Sequence, residues 1–203
     1  MRLLAAISAA ALPVEDAMLG ADVVGVLRAQ SRLQALDFWI RYPDYLANEL
    51  LNEFEKTGAQ FDLELARRIF DNREPDLRRV PMIRYHFGAF EPLHNPLSIL
   101  RSRDLVRQHR QGEPGNVTET WYRLTKAGRS AMDQLADAAC ELAWYRDRAA
   151  VAARIAGVAG GAALKDRQYL QEEYAATPLK GTIPSIADRV RARLDELSEG
   201  APK

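Results

Sequence analysis

The chain has 203 residues, of which 28 are basic and 28 acidic, so its formal net charge is zero. Apolar residues make up 47% and charged residues 28%, proportions typical of a globular protein that buries a core without disulfides. Net charge therefore selects no class of partner, and only a local cluster of charges could do so. The single cysteine, Cys140, excludes an internal disulfide framework and a thiolate metal cluster, and it favours a reducing, cytoplasmic location.

Residues 1–20 are predicted to form a separate N-terminal segment. Their apolar stretch after Met1 and Arg2 imitates a secretory signal, but Pro13 to Asp16 make a poor cleavage site. A packing helix or a disordered start is therefore the favoured interpretation. The small-residue run 149–164 contains Arg154 and is too short to span a bilayer, so we expect no membrane partner.

Residues 21–81 are predicted to hold three helices and a loop. Apolar residues recur at spacings of three and four over much of 21–40, and Pro43 ends this first helix. Asp44 is expected to cap a second helix that stops at Gly58, and Asp62 a short third one before a loop at 72–81. Four aromatic residues around Pro43 are expected in the core, with a ligand pocket as the alternative: Phe38, Trp39, Tyr42 and Tyr45.

Residues 82–137 are predicted to contain the β structure. Alternation over 82–90 favours a short strand, with a helical turn as the alternative. Asn95–Pro96 starts a helix that ends near Arg103. Residues 105–110 and 117–124 form the two strands of a hairpin, because the turn formers of 111–116 separate them. Thr125 is expected to cap the next helix, whose inward residues are predicted to be Met132, Leu135, Ala139 and Leu142.

Residues 138–203 are predicted to form a C-terminal helical extension. A pair of helices within 149–174 is divided near the glycines of 157–161. Ser185 is expected to cap a last helix that Gly200 ends. The predicted fold class is therefore mainly α (α+β), with a hairpin inside a helical chain.

The segment 100–135 resembles the end of a bacterial winged helix-turn-helix domain. A helix, a short exit, a hairpin and then Trp-Tyr-Arg-Leu-Thr-Lys-Ala-Gly-Arg at 121–129 carry the resemblance. It implies that 21–137 is a winged-helix domain with a two-stranded wing and with extra N- and C-terminal helices. It also implies a DNA-reading helix before the wing, at 92–103, which Pro92 and Pro96 shorten.

Local charge favours a nucleic-acid surface in the same region. Between residues 66 and 110 there are ten arginines and five acidic residues, a net charge of +5. Arginine suits bidentate phosphate contact, although pairing with acids on solvated faces is the alternative. The resemblance implies phosphate contacts by Arg101, Arg103, Arg107 and Arg110, with Asn95 and Ser98 near the bases.

Two functions compete on these observations. The first is a DNA-binding winged-helix protein, a transcriptional regulator that binds double-stranded DNA as a homodimer. The second is a non-catalytic winged-helix interaction subunit of a larger, ATPase-driven complex. The proline-interrupted helix, the zero net charge and the C-terminal extension favour this second function.

The sequence predicts neither an enzyme nor a cofactor or metal site. The three histidines, His86, His94 and His109, match no zinc spacing. The glycines of 157–161 with Lys165 lack the spacing of a phosphate-binding loop, and we expect a helix-breaking loop there.

Overall fold

The computed structural model describes residues 1–14, 19–86, 88–113 and 115–200. Helices dominate, and a three-stranded antiparallel sheet and a two-stranded sheet (β2-β3) accompany them, which confirms the predicted α+β class. The elements in chain order are α1 (Arg2–Ala10), β1 (Val23–Arg28), α2 (Gln30–Arg41), α3 (Pro43–Thr57), α4 (Gln60–Asp71), α5 (Glu74–Leu77), β2 (Ile83–Tyr85), β3 (Gly88–Phe90), α6 (His94–Ser102), β4 (Val106–Glu113), β5 (Asn116–Thr125), α7 (Lys126–Ala138), α8 (Cys140–Ala156), α9 (Gly161–Tyr169), α10 (Glu172–Ala176) and α11 (Ala187–Gly200).

The chain divides into two compact units, each assembled from two stretches of sequence. Unit 1 comprises Met1–Asp37 and Phe90–Arg167, and unit 2 comprises Phe38–Ala89 and Gln168–Lys203. Unit 1 therefore holds the predicted hairpin and the helix before it, whereas unit 2 holds α3 and α4.

The sheet of unit 1 has the strand order β1-β5-β4, and both pairs are antiparallel. The predicted hairpin is present as β4 and β5, in which Val106 pairs with Leu124 and Arg110 with Thr120. On the inner face Val106, Tyr122 and Leu124 are buried. Alternate residues of a strand point to opposite faces, so the other face carries Trp121 together with polar and charged side chains.

Unit 1 also contains helices α1, α6, α7 and α8 and most of α2 and α9. Helix α1 lies against α8, α7 and the sheet, and its residues Leu3, Leu4 and Ile7 are buried. Of the two interpretations of the N-terminal segment, the structure has the packing helix. Helix α6 contacts β4 directly, which places it beside the hairpin.

The predicted helix over 21–40 is wrong in its first half. Residues Val23–Arg28 form β1, which pairs with β5 so that Leu27 lies opposite Tyr122. Three valines and a leucine in this stretch suit a strand that has a partner, and that partner outweighs the helical spacing. The helix begins only at Gln30, after Ala29 adopts a positive φ of 70°.

Unit 2 has an aromatic core. The rings of Phe38, Tyr42, Tyr45 and Tyr174 stack or meet edge to face at centroid distances of 4.6 to 6.4 Å. All four are buried, as is Trp39. The core interpretation of the aromatic residues around Pro43 is therefore confirmed.

Several local predictions in unit 2 need correction. Asp44 does not cap α3: its carboxylate accepts hydrogen bonds from Ser185 Oγ (2.6 Å), the Ile186 amide (2.8 Å) and the Tyr45 amide (3.1 Å). It thus joins the start of α3 to the segment before α11. Helix α4 begins at Gln60, ahead of Asp62, and the predicted loop at 72–81 includes the short helix α5.

Two further corrections concern the helix after Thr125. Leu135, predicted to point inward, is exposed, while Met132 and Ala136 are buried. The helix also breaks at Ala139, whose extended conformation (φ −157°, ψ 137°) separates α7 from α8. Within the described residues, no helix is both long and apolar enough to cross a membrane.

Candidate nucleic-acid interface

Helix α6 presents an uncharged outward face. Its nine residues place Leu97 and Leu100, together with the preceding Leu93, in the core. The spacing of three and four puts a second set on the opposite side of the helix. That set is exposed to solvent and consists of Asn95, Ser98, Ile99 and Ser102.

The polar groups of this face differ in availability. The Ser98 hydroxyl donates to the His94 carbonyl (2.7 Å) and the Ser102 hydroxyl to the Ile99 carbonyl (2.9 Å), so both protons are used within the helix. Among the described residues the Asn95 amide has no hydrogen-bond partner. Ile99 is 66% exposed, which is unusual for an isoleucine on a helix that packs through leucines.

The β4–β5 hairpin extends beyond the core. Its outer residues, from Arg110 through Thr118, are exposed or half-buried wherever the structure describes them. Gly112 has a φ of 113° at a register shift opposite Asn116 and Val117. A Cβ at Gly112 would lie 2.3 Å from the Asn116 carbonyl oxygen, so this bulge requires glycine.

Two shallow concavities meet at Arg110. The first lies between α6 and β4 and is lined by Arg101, Gln108 and Arg110. The second lies between the start of α2 and the hairpin, where Gln30 and Ser31 face Arg110 and the strand 117–120. Arg110 therefore lines both concavities, and it shares the first of them with Arg101 of α6.

The arginines at this surface are in two electrostatic states. Arg101, Arg103 and Arg110 are exposed, and among the described residues none of them forms an ion pair. Arg107 instead binds two carboxylates at once, Asp22 (2.6 Å) and Asp104 (2.6 Å). Only the first three guanidinium groups are free to meet a phosphate without losing an internal partner.

Arg107 changes the acidity of the two carboxylates that it binds. Hydrogen bonding to the Arg107 guanidinium lowers the pKa of Asp22 and of Asp104 below the ordinary value of 3.8. The same hydrogen bonds raise the pKa of Arg107, and the bond to Asp104 contributes more than the bond to Asp22. Because Asp22 precedes β1 and Asp104 precedes β4, this cluster joins the starts of the two outer strands.

Thr125 closes the sheet onto α7 as the sequence predicts. Its hydroxyl accepts a hydrogen bond from the Gly128 amide (3.0 Å) and donates to the Asp104 carbonyl (2.7 Å). A Cβ at Gly128 would lie 2.1 Å from the carbonyl oxygen of Leu105, the residue before β4. Glycine at this position therefore permits the close approach of α7 to the start of β4. The predicted cap at Thr125 is confirmed.

The structure distributes the predicted DNA-contacting residues over α6, the end of that helix and β4. Asn95 and Ser98 share one face of α6, while Arg101 and Arg110 line one concavity. Arg103 follows the end of α6, and Arg107 lies apart in its carboxylate cluster.

Sequence reasoning did not select Ile99 or Gln108 for this surface. An isoleucine in a predicted amphipathic helix is normally assigned to the core. Because Leu93, Leu97 and Leu100 mark the buried side of α6, Ile99 lies on the opposite, solvent-exposed side. Gln108 carries no sequence signal, because its role depends on the contact between β4 and α6.

Comparison with protein-family models, with curated proteins and with solved structures gives no match. Among the described residues, no group of three or more His, Cys, Asp or Glu side chains is placed to hold a metal ion.

Proposed function

We propose that the chain is a winged-helix protein that binds double-stranded DNA through α6 and the β4–β5 hairpin and regulates transcription as a homodimer. Helix α6 would lie in the major groove, and the hairpin would act as the wing along the phosphate backbone. Arg101, Arg103 and Arg110 would contact phosphates, while Asn95 and Ser98 would face the bases.

The order of elements in unit 1 supports this proposal. A helix is followed directly by a two-stranded antiparallel hairpin, and a threonine-capped helix then returns to the sheet. The third strand, β1, pairs with β5 and holds the hairpin by its inner end. The outer end remains exposed, as a ribbon that follows a phosphate backbone requires.

The single observation that carries the proposal is the pairing of surfaces on α6 and β4. An exposed, uncharged helix face adjoins a concavity lined by Arg101 and Arg110, neither of which has an ion-pair partner among the described residues. DNA recognition needs this combination, because positively charged side chains bind the phosphate backbone of DNA, while uncharged hydrogen-bond donors and acceptors contact the edges of the bases.

The test is fluorescence anisotropy with a labelled 30-base-pair duplex of mixed sequence at low salt. We expect the wild-type chain to bind and Arg101→Ala/Arg110→Ala to bind at least tenfold more weakly, because two phosphate contacts are lost. The matched control is Arg67→Ala/Arg68→Ala, which removes two exposed charges from α4 in unit 2. Equal binding by both double variants, or no binding by the wild type, would overturn the proposal.

One observation favours the second candidate, an interaction subunit of a larger, ATPase-driven complex. Ile99 is 66% exposed and Val117 on the hairpin 48% exposed, so the same surface offers apolar side chains to a protein partner. Failure to bind duplex DNA, together with co-purification of a stoichiometric protein partner that Ile99→Asp abolishes, would support this candidate instead.

A further inference from the structure

The outward face of α6 has the chemistry of an A·T reader. Its accessible groups are the Asn95 amide, which offers one acceptor and two donors, and the exposed Ile99 side chain. The two are four residues apart, so they lie one above the other on the helix. The two serine hydroxyls beside them have already donated their protons to the helix backbone.

In the major groove each base pair presents its own pattern of hydrogen-bond donors, acceptors and methyl groups, so an amide and an apolar side chain select different bases. An asparagine amide pairs bidentately with N6 and N7 of adenine, and an apolar side chain packs on the C5-methyl group of thymine. A guanine reader would instead need arginine or lysine on this face. The outward face has neither, since Arg101 lies to its side, in the concavity with β4.

Resting on the proposed function, we infer that α6 selects A·T base pairs, with Asn95 hydrogen bonded to an adenine and Ile99 packed against a thymine methyl group. The position of Asn95 supports this assignment. It is the second residue of α6, and helices of this kind contact base edges with their N-terminal residues. Ile99, one turn later, then reaches a neighbouring base pair.

The experiment starts from selection on a duplex library with a randomised central segment, followed by sequencing of the bound fraction. The wild-type chain should enrich at least one adenine and one thymine position. Asn95→Ala should lose the preference at the adenine, and Ile99→Ala the preference at the thymine. The matched controls on the exposed side of α7, Gln134→Ala and Leu135→Ala, should leave the selected sequence unchanged.

Deoxyuridine then isolates the methyl contact. On the selected duplex, replacing the contacted thymine by deoxyuridine removes only the C5-methyl group. The wild type should lose about fourfold in affinity, the value of one buried methyl group, and Ile99→Ala should lose none. Asn95→Ala should lose about fivefold or more on the thymine-containing duplex.

The outcomes separate the inference from the proposal beneath it. Duplex binding without an A·T position that depends on Asn95 or Ile99 would overturn the inference and leave the proposed function standing. A selected guanine or cytosine at the position that Asn95→Ala relaxes would also overturn it. Absence of duplex binding would overturn both.

Discussion

At the scale of single residues, Arg107 shows how a predicted binding residue acquires another role. Sequence position alone places it with Arg101, Arg103 and Arg110 as a phosphate contact. In the structure its guanidinium lies between Asp22 and Asp104, and this pairing is available because β1 and β4 begin at the same end of the sheet, on either side of β5. We therefore expect Arg107 to position the sheet, and Arg107→Ala to alter stability more than DNA affinity.

The pH dependence of this cluster follows from the lowered carboxylate pKa. Asp22 has a folded-state pKa below 3.8, so its ion pair contributes stability at neutral pH and loses it as the pH falls through that lower pKa. Urea unfolding of wild type and Asp22→Asn should therefore differ at pH 7, and the difference should shrink as the pH falls below 3.8 and through the lowered pKa of Asp22. As a control, Asp195→Asn changes an exposed carboxylate on α11 that forms no ion pair among the described residues. A difference between wild type and Asp22→Asn that grows in acid would contradict the assignment.

Gly128 gives a second prediction at this scale. A Cβ at this position would lie only 2.1 Å from the Leu105 carbonyl oxygen, so Gly128→Ala must separate α7 from the strand. We expect a loss of about 1–3 kcal/mol in the free energy of unfolding, the usual cost of overpacking. Gly160→Ala is the matched control, because a Cβ there would meet nothing within 4 Å. Equal effects of the two substitutions would contradict the predicted overlap between a Cβ at residue 128 and the Leu105 carbonyl oxygen.

At the scale of elements, Thr125 connects the sheet to α7. Thr125→Ala removes a buried cap that accepts from the Gly128 amide and donates to the Asp104 carbonyl. We expect a loss of about 1–2 kcal/mol of stability by denaturant unfolding, and recovery of most of it in Thr125→Ser, which retains the hydroxyl. An equal loss in both variants would mean that the methyl group, and not the hydrogen bonds, matters.

The elements also show what the sequence can predict. The β4–β5 hairpin and the cap at Thr125 follow from local chemistry: turn formers, and a hydroxyl three residues before a glycine. Helix α6 begins at His94, ahead of the predicted start at Asn95–Pro96. Strand β1 is predicted as helix because its partner, 121–125, lies about one hundred residues away. Asp44 bonds to Ser185 and Ile186, which are even more distant in sequence. No glycine or proline lies at Ala139, where α7 ends and α8 begins, so the sequence offers no physical reason for this break.

The same limit applies to the candidate site. Positive charge and a short helix before a hairpin place the surface in the correct region of the chain. Which arginines remain without ion pairs, and which face of α6 points outward, depend on tertiary contacts. Arg107 and Ile99 are the two residues whose roles those contacts change.

At the scale of the whole molecule, the zero net charge makes attraction to DNA a local property. Counterion release depends on the phosphates that are actually neutralised, and the logarithm of affinity falls with the logarithm of salt by about 0.9 per contact. Arg101→Ala/Arg110→Ala should therefore reduce the magnitude of that slope by about 1.8. Arg107→Ala should leave it nearly unchanged, since Asp22 and Asp104 already neutralise that guanidinium.

These slopes separate phosphate binding from general charge. The measurement is anisotropy of the labelled 30-base-pair duplex between about 50 and 200 mM salt. The control Arg67→Ala/Arg68→Ala changes the net charge by the same two units as Arg101→Ala/Arg110→Ala, but in unit 2. If net charge governed binding, the two double variants would have equal slopes. If the surface of α6 and β4 governs it, only Arg101→Ala/Arg110→Ala changes the slope, and that difference locates the bound phosphates on the molecule.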